Sequence, residues 1–283
     1  MNDEEIAGNL VYGHRNGARN LWIGGGEPTI HKKLTMLIRL AIKTGYRRIK
    51  IQSNGMMFSY REFCEKCLEA GATEFNVSIK GKNAEDHDWM TRVKGSHAAM
   101  VKGIENLKQL GARVEGDILI TAKTVPFLTE IVREFHSIGV DGFDFWYLSL
   151  RDAADGGARE LLPSLETVGP AMLEALSAGR ALGISHLANY HVPACFLPGC
   201  EKYCVPAASL RLLVCNPGGY RFMLEESPME KGVFLDGCDG CKWLGSCPGF
   251  RQEYIEIFGT DGFPPKKFHS SRSGKKRTPR ERR

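Results

Sequence analysis

Short apolar runs alternate with longer segments of helical periodicity through the first 150 residues. Each periodic segment ends at a glycine, and a few mainly apolar residues follow, as at residues 49–51. A helix that ends at a left-handed glycine and leads into a short buried strand is the repeating unit of a parallel sheet. The pattern therefore predicts an α/β fold with parallel strands near residues 20–24, 48–52, 74–79, 115–121 and 142–148.

The chain opens with a predicted helix, at about residues 4–15, that no strand precedes. Parallel α/β units normally begin with a strand, so this helix would pack on a sheet whose neighbouring strand is absent. We therefore expect an open, curved sheet with an exposed edge at its first strand. Either the fold is unusual, or the chain begins one strand late.

Composition favours a cytoplasmic globular protein without a membrane partner. Of the 283 residues, 42% are hydrophobic and 25% are charged. No run approaches the roughly 20 apolar residues of a membrane helix, and the acidic start is not a signal peptide. The net charge of +5 comes from residues 266–283, which hold nine Lys or Arg and one Glu and leave −3 for residues 1–265. We expect this basic tail to be disordered, without a dedicated nucleic-acid partner.

A glycine-rich turn follows the first predicted strand, with the sequence Gly24-Gly25-Gly26-Glu27-Pro28-Thr29. Parallel α/β folds place their ligands at such loops, because the carboxyl ends of the strands meet there. Glycines let the backbone approach a ligand closely, and the Glu27 carboxylate can receive a cationic amine. By itself, however, the turn is equally typical of a tight strand-to-helix connection.

Seven of the nine cysteines fall between Cys195 and Cys247. Such clustering in a cytoplasmic protein predicts metal or iron–sulfur ligation rather than disulfides. Cys238, Cys241 and Cys247 have the spacing Cys-x2-Cys-x5-Cys, which iron–sulfur clusters and structural zinc sites share. Cys64 and Cys67 stand apart on one face of a predicted helix, where we expect core residues.

The strand that ends in Gly-Gly-Glu-Pro-Thr resembles the motif with which radical S-adenosylmethionine (SAM) enzymes bind the amino group of SAM. Residues 51–55 (Ile-Gln-Ser-Asn-Gly) and 77–81 (Val-Ser-Ile-Lys-Gly) are similar to the next strand ends of that family. The resemblance implies a partial (β/α) barrel of six strands, of which residues 19–149 match the last five. It also implies a set of SAM-binding residues, which are Gly25, Gly26, Glu27, Ser53, Asn54 and Ser78.

The sequence departs from this family at one important point. Radical SAM enzymes carry a Cys-x3-Cys-x2-Cys loop for the catalytic [4Fe–4S] cluster upstream of the Gly-Gly-Glu motif, and no cysteine precedes Cys64 here. We expect a partial barrel that lacks its first strand and this cluster loop, because the chain begins downstream of them. The alternative is a degenerate, non-catalytic member that binds an iron–sulfur cluster or zinc for a partner.

The complete form is expected to cleave SAM reductively to a 5′-deoxyadenosyl radical. The radical would abstract hydrogen from an unknown substrate, which could be a peptide, a protein or a small molecule. The implied electron donor is a reductant such as ferredoxin or flavodoxin. No residue of this chain is assigned a catalytic role, although Asp144, Trp146 and Tyr147 end the last predicted strand, where a substrate would be met.

The C-terminal cysteines resemble those of the twitch and SPASM extensions, which carry auxiliary [4Fe–4S] clusters. The resemblance implies one cluster on Cys238, Cys241 and Cys247, with Cys195 favoured as fourth ligand over Cys200, Cys204 and Cys215. A weaker alternative is an unrelated α/β barrel with a structural zinc knuckle. The expected organisation is a partial barrel over residues 1–150, a C-terminal extension with the cluster over 151–265, and the tail over 266–283.

Overall fold

A computed structural model describes residues 1–150 and 156–260 of the chain. Six parallel strands form one sheet in the order in which they occur along the chain. They are β1 (Asn20–Ile23), β2 (Arg48–Ser53), β3 (Glu74–Ile79), β4 (Arg113–Ile120), β5 (Gly142–Tyr147) and β6 (His186–Tyr190). The predicted α/β partial barrel is confirmed, while the predicted tail at residues 266–283 lies outside the described residues.

Helices connect the strands and cover the outer face of the sheet. They are α1 (Asp3–Arg15), α2 (Leu34–Thr44), α3 (Arg61–Ala70), α4 (Ala84–Thr91), α5 (Ser96–Gln109), α6 (Leu128–Ser137) and α7 (Leu165–Ala181). The helix ends follow the sequence pattern, because α2 and α3 stop at Gly45 (φ 111°) and Gly71 (φ 112°). Both glycines hold the left-handed conformation that turns the chain into the following strand.

The sixth strand is the main difference from the expected sheet. The sequence pattern predicts five strands for the sheet and a further strand near residues 185–190, within the C-terminal extension. That strand is β6, and it belongs to the sheet. It pairs in parallel with β5, from Gly142 opposite His186 to Trp146 opposite Tyr190. The sheet therefore continues past residue 150, with α7 as the crossover between its last two strands.

The opposite edge of the sheet is β1, which pairs with β2 alone among the described strands. The backbone groups on its other side face away from the sheet, as expected for an exposed edge. The loop that follows β1 therefore stands at one end of the curved sheet.

The C-terminal part packs against the last strands of the sheet. A hairpin is formed by β7 (Leu213–Cys215) and β8 (Arg221–Met223), which pair antiparallel. Its turn reaches α1, where the Arg221 guanidinium lies 4.1 Å from the centre of the Tyr12 ring. Two further helices, α8 (Ala207–Leu210) and α9 (Gln252–Phe258), complete this part. In α9 the buried Tyr254 packs on Tyr147 of β5, with ring centres 6.4 Å apart.

The core lies between the sheet and its helices, and it includes the two isolated cysteines. Cys64 and Cys67 of α3 are fully buried, as predicted for core residues. Burial raises the pKa of Cys64 to about 11 and that of Cys67 to about 12. Both thiols therefore stay protonated and unreactive at neutral pH. No helix within residues 1–150 and 156–260 has the length and apolar character to cross a bilayer.

A pair of glycine substitutions tests the packing of α5. A Cβ atom at Gly103 would lie 2.4 Å from the Gly55 carbonyl oxygen and 3.0 Å from Phe58 Cβ. We expect Gly103→Ala to lower the free energy of unfolding by about 1–3 kcal/mol, because neither neighbour can give way cheaply. The control is Gly8→Ala in α1, where an added Cβ meets nothing within 4 Å. This substitution should raise the free energy of unfolding by about 0.5–1 kcal/mol, because alanine favours the helix over glycine. Urea unfolding measures both values, and equal effects would contradict the packing.

Candidate functional site

A cleft of about 1870 Å³ lies beside β1 and the loop at its carboxyl end. Helix α1, the glycine-rich loop and the β7–β8 hairpin line it, and Gln52 and Trp146 reach it from the sheet. Its volume exceeds the roughly 300–1,000 Å³ of most small-molecule pockets. The cleft therefore has room for a large ligand or for more than one molecule.

The glycine-rich loop forms an exposed wall of this cleft. Gly24, Gly25 and Gly26 all line it, and Gly25 has a φ of 109°, which side chains rarely adopt. At Gly24 a Cβ would lie 3.2 Å from Gln52 Oε1, so the loop also needs glycine to rest on β2. The result is a stretch of bare backbone that a ligand can approach closely.

The Glu27 carboxylate fixes this loop to the end of β2. Its Oε1 accepts hydrogen bonds from Thr29 N (3.0 Å), Thr29 Oγ1 (2.5 Å) and Ser53 Oγ (2.9 Å). Its Oε2 accepts one from Asn54 N at 2.8 Å. Hydrogen bonds to a carboxylate are stronger than those between neutral groups, so the four together hold the two strand ends in one arrangement.

The structure brings five of the six predicted SAM-site residues together. Gly25, Gly26 and Glu27 line the cleft, and Ser53 and Asn54 stand behind Glu27 as its hydrogen-bond donors. Ser78 is half-buried in β3 opposite Asp117 of β4 and is not part of the described lining. The sequence motif thus identified the glycine-rich loop and the two residues, Ser53 and Asn54, that bind Glu27. A second group of polar residues lies on the inner face of the sheet.

Polar side chains fill the inner face of the sheet below the cleft. They occupy alternate positions along the strands. In a parallel sheet that is buried on both faces, such positions are usually apolar. They are Lys50 and Gln52 of β2, Asn76 of β3, Arg113, Glu115 and Asp117 of β4, Asp144 of β5 and His186 of β6. We call them the inner polar cluster. Sequence reasoning noted Asp144 alone, although two-residue alternation of polar residues was the available signal.

Glu115 is the anion at the lower end of the inner polar cluster, and it has two cationic partners. Lys50 Nζ lies 2.7 Å from Glu115 Oε2, and Arg113 Nη2 lies 2.8 Å from Oε1. Burial opposes ionisation of Glu115, but these hydrogen bonds outweigh it and hold its pKa below the ordinary value. Glu115 is therefore ionised at physiological pH, and Lys50 and Arg113 balance its negative charge.

Asp144 has a histidine as its cationic partner. His186 Nε2 lies 2.7 Å from Asp144 Oδ1, and this hydrogen bond raises the pKa of His186 despite its partial burial. Glu115, Asp144 and His186 are also the one set of three possible metal-binding side chains in the described residues with donor atoms within 4.8 Å. Because Lys50 and Arg113 already neutralise Glu115, we assign no metal there.

Asp117 has only amide partners. Gln52 Nε2 donates to Asp117 Oδ2 at 2.6 Å, and Asn76 Nδ2 donates to Oδ1 at 2.9 Å. The same Asn76 nitrogen lies 3.1 Å from Asp144 Oδ2, so the two aspartates share one donor. Burial, followed by the nearby Asp144 carboxylate, raises the pKa of Asp117 to about 7.

Two aromatic rings lie above the inner polar cluster at the mouth of the barrel. Trp146 and Tyr190 stack with ring centres 4.0 Å apart and an angle of 6° between their planes. His191 follows Tyr190 with a positive φ of 73°, and its Nε2 lies 3.3 Å from Glu230 Oε2. Burial lowers the pKa of His191 to about 3, so its imidazole is neutral. Of these residues, Trp146 and Glu230 line the cleft.

The four cysteines predicted to bind the auxiliary cluster are neighbours. Burial is the main reason that the pKa of Cys195 is raised to about 12. Electrostatic repulsion from Cys247, Cys238 and Cys241 adds to this increase. Charge effects of that kind act only between nearby groups. The Gly249 backbone N–H also points to Cys247 Sγ at 3.4 Å. The predicted residues therefore form one group that spans the segment after β6 and the segment before α9.

The other cysteines of the C-terminal part have different surroundings. Cys204 is buried, accepts a hydrogen bond from Asn189 Nδ2 at 3.3 Å and lies near Cys247 as well. Cys215 lies in β7, lines the cleft beside α1 and has Arg221 as its charged neighbour. Cys204 thus remains a possible additional ligand, whereas Cys215 belongs to the cleft.

Comparisons with known proteins support the interpretation of the sheet. The sequence model of the radical SAM superfamily matches residues 1–138. The AdoMet-dependent heme synthase of Oleidesulfovibrio alaskensis is 29% identical over 124 residues, which cover 44% of this chain and 31% of that protein. The probable GTP 3′,8-cyclase of Sulfurisphaera tokodaii is 26% identical over 144 residues, 50% of this chain and 44% of that one. The chain therefore spans less than half of the length of these relatives.

A solved structure with the same architecture is native anSMEcpe with bound AdoMet. It aligns with a TM-score of 0.63 and 13% identity over 89% of this chain and 80% of that one. At this identity the likeness shows the fold, which is a six-stranded partial barrel followed by a cysteine-rich region.

The raised pKa of Asp117 makes a prediction about stability. The pKa of Asp117 is about 7 in the folded chain, whereas its ordinary value is 3.8. At a pH between these two values, the folded chain keeps a proton on Asp117 that the unfolded chain has lost. Stability should therefore fall as pH rises from 4 to 7, by up to about 4 kcal/mol relative to Asp117→Asn. Above pH 7 the difference should be constant. Urea unfolding of both proteins at several pH values measures it, and a flat difference would contradict the buried environment in which Asp117 has only amide hydrogen-bond donors.

Proposed function

We propose that the radical SAM domain to which residues 1–138 belong binds SAM at the loop from Gly24 to Glu27. The observation that carries the proposal is the Glu27 network, which fixes a bare glycine backbone at the carboxyl edge of the sheet and beside a large cleft. In this arrangement the amino group of SAM would meet the loop, and the rest of the molecule would lie in the cleft.

The space in front of the loop supports this proposal. A Cβ atom at Gly25 or Gly26 would meet no protein atom within 4 Å, so the loop is bare toward the cleft. The sulfonium and ammonium charges of SAM suit a site where carbonyl groups of a loop are exposed. Gln52 and Trp146 add an amide and an aromatic ring to the lining of the same cleft.

The proposed activity is reductive cleavage of SAM to a 5′-deoxyadenosyl radical that modifies a substrate. A catalytic [4Fe–4S] cluster would supply the electron, and three thiolates hold such a cluster in this family. Among the described residues that line the cleft, Cys215 is the one cysteine. The described lining does not fit that cluster by itself, so we derive no step through it.

The reaction itself indicates the kind of electron donor, and the size of the cleft indicates which substrate classes can enter. A low-potential protein such as ferredoxin or flavodoxin would fit the electron demand of the reaction. The volume of the cleft admits a peptide, a protein side chain or a small molecule as substrate. The relatives named above act on different molecules, so their names do not choose among these classes.

An auxiliary [4Fe–4S] cluster on Cys195, Cys238, Cys241 and Cys247 is the second part of the proposal. Soft thiolates at this spacing suit iron–sulfur clusters or zinc. Among the described residues, no three cysteine sulfurs come within 4.8 Å of one another. A single tetrahedral zinc with Zn–S bonds of about 2.3 Å needs sulfurs closer than that, and metal analysis distinguishes it from the larger cluster.

A non-catalytic binding module is the second candidate function. It is favoured by the single cysteine in the described lining of the cleft. Such a protein would hold the auxiliary cluster or zinc for a partner and would have no need of SAM. The two candidates therefore differ in whether the glycine loop binds SAM.

A methyl group on the glycine loop tests SAM binding directly. Gly26→Ala should leave the fold intact, because the added Cβ meets no protein atom within 4 Å. It should nevertheless weaken SAM binding about tenfold, since it occupies the space in which the ligand would contact the backbone. Isothermal titration calorimetry at millimolar SAM measures the effect, with Gly8→Ala as the matched control. Equal affinity in all three proteins would overturn the site and favour the binding module.

Iron reconstitution tests the auxiliary cluster. Anaerobic reconstitution of the chain should give about four irons and a broad absorption near 400 nm, as expected for a cubane cluster. Cys241→Ala should abolish the signal, because a cluster ligand is lost. Cys64→Ala should leave it intact, because Cys64 is a buried core residue in α3. Stoichiometric zinc with no iron would contradict the cluster and support a zinc module instead.

A further inference from the structure

Asp117 is the one member of the inner polar cluster whose charge has no partner. The cluster contains three acidic side chains. Glu115 lies within 2.8 Å of Lys50 and Arg113, and Asp144 lies 2.7 Å from His186 Nε2. Asp117 has no ion pair among the described residues, and its two hydrogen bonds come from the neutral amides of Gln52 and Asn76. Asp117 therefore has no basic side chain in contact, although the cluster as a whole holds three basic and three acidic side chains.

An unpartnered acceptor beside Asp117 independently indicates a missing donor. Asn76 is fully buried, and its Nδ2 donates to both aspartates. Its Oδ1 has no hydrogen-bond partner in the described part of the chain. Buried amide oxygens are nearly always hydrogen-bonded, and an unmet one costs about 1–3 kcal/mol. A group that brings several N–H donors would satisfy Asn76 Oδ1 and Asp117 at once.

Asp117 is buried, and one side chain that lines the cleft contacts it directly. Gln52 lines the cleft, and its Nε2 lies 2.6 Å from Asp117 Oδ2. A charged donor can therefore replace the Gln52 amide on Asp117 and gain a stronger hydrogen bond. The stacked rings of Trp146 and Tyr190 lie at the same end of the sheet, and an aromatic face also favours a cation.

We infer that the barrel interior below the cleft is a subsite for a cationic group of the substrate, either a primary ammonium or a guanidinium. Asp117 supplies the negative charge, Asn76 Oδ1 accepts a second hydrogen bond, and the Trp146 ring borders the group. This inference rests on the proposed function in taking the cleft as the substrate site. It adds the substrate class, because a neutral group would bring no counter-charge to Asp117 and an anionic group would be repelled by it.

Binding of a small cation to the full chain, without SAM, tests this subsite. The probe is methylguanidinium chloride, and the comparison is N-methylurea, which has a similar shape but no charge. Calorimetry should show saturable binding of the cation at millimolar concentration and none of the urea. Because this comparison uses the unaltered chain, it does not depend on whether any variant folds.

Two variants test whether the cation binds at Asp117. Asp117→Asn should weaken methylguanidinium binding at least tenfold, because the amide carries no charge. The control is Glu85→Gln, which removes the same charge from an exposed position in α4 and should leave the affinity unchanged. Equal binding of cation and urea, no binding of either, or unchanged affinity in Asp117→Asn would each overturn the inference. A negative result with SAM and Gly26→Ala would instead overturn the proposed function and leave the cation measurement standing.

Discussion

Parallel pairing of the six strands in chain order is the constraint on which the rest of the structure depends. It places the carboxyl ends of all strands on one edge and requires a helical crossover between each pair. The loop after β1 and the end of β2 become neighbours for this reason alone. Glu27 can then bridge them through Ser53 and Asn54.

The same constraint divides the side chains of each strand between two environments. One face packs against the helices and is apolar, as with Phe75 and Val77 of β3. The other face points into the curved sheet, where charged residues must find partners because water is scarce. Most of them do, and Asp117 is the exception, because its two hydrogen-bond donors are neutral amides.

Local signals made much of this arrangement predictable from sequence. Helices that end at Gly45 and Gly71 identify the following strands, because a left-handed glycine stops a helix wherever the chain then turns. The glycine loop, Ser53 and Asn54 were found by motif, and the structure joins them through Glu27. Close spacing also predicted that Cys238, Cys241 and Cys247 would be neighbours.

Features that depend on long-range pairing were harder to predict. The partnership of β6 with β5 requires the crossover through α7, which sequence spacing does not specify. The inward direction of Glu115 and Asp117 depends on strand register, because a shift of one residue would reverse it. The neighbours of Cys195 come from a distant segment, so the proximity of its thiol to Cys247 also needed the fold.

Hydrogen–deuterium exchange with and without SAM measures most directly whether the glycine loop is a SAM site. Bound SAM should slow exchange of the backbone amides at residues 24–29 and 52–55, because it covers the loop and steadies the Glu27 network. Amides in α3 and α9 should be unchanged. Protection confined to other segments, or none at saturating SAM, would contradict SAM binding at this loop.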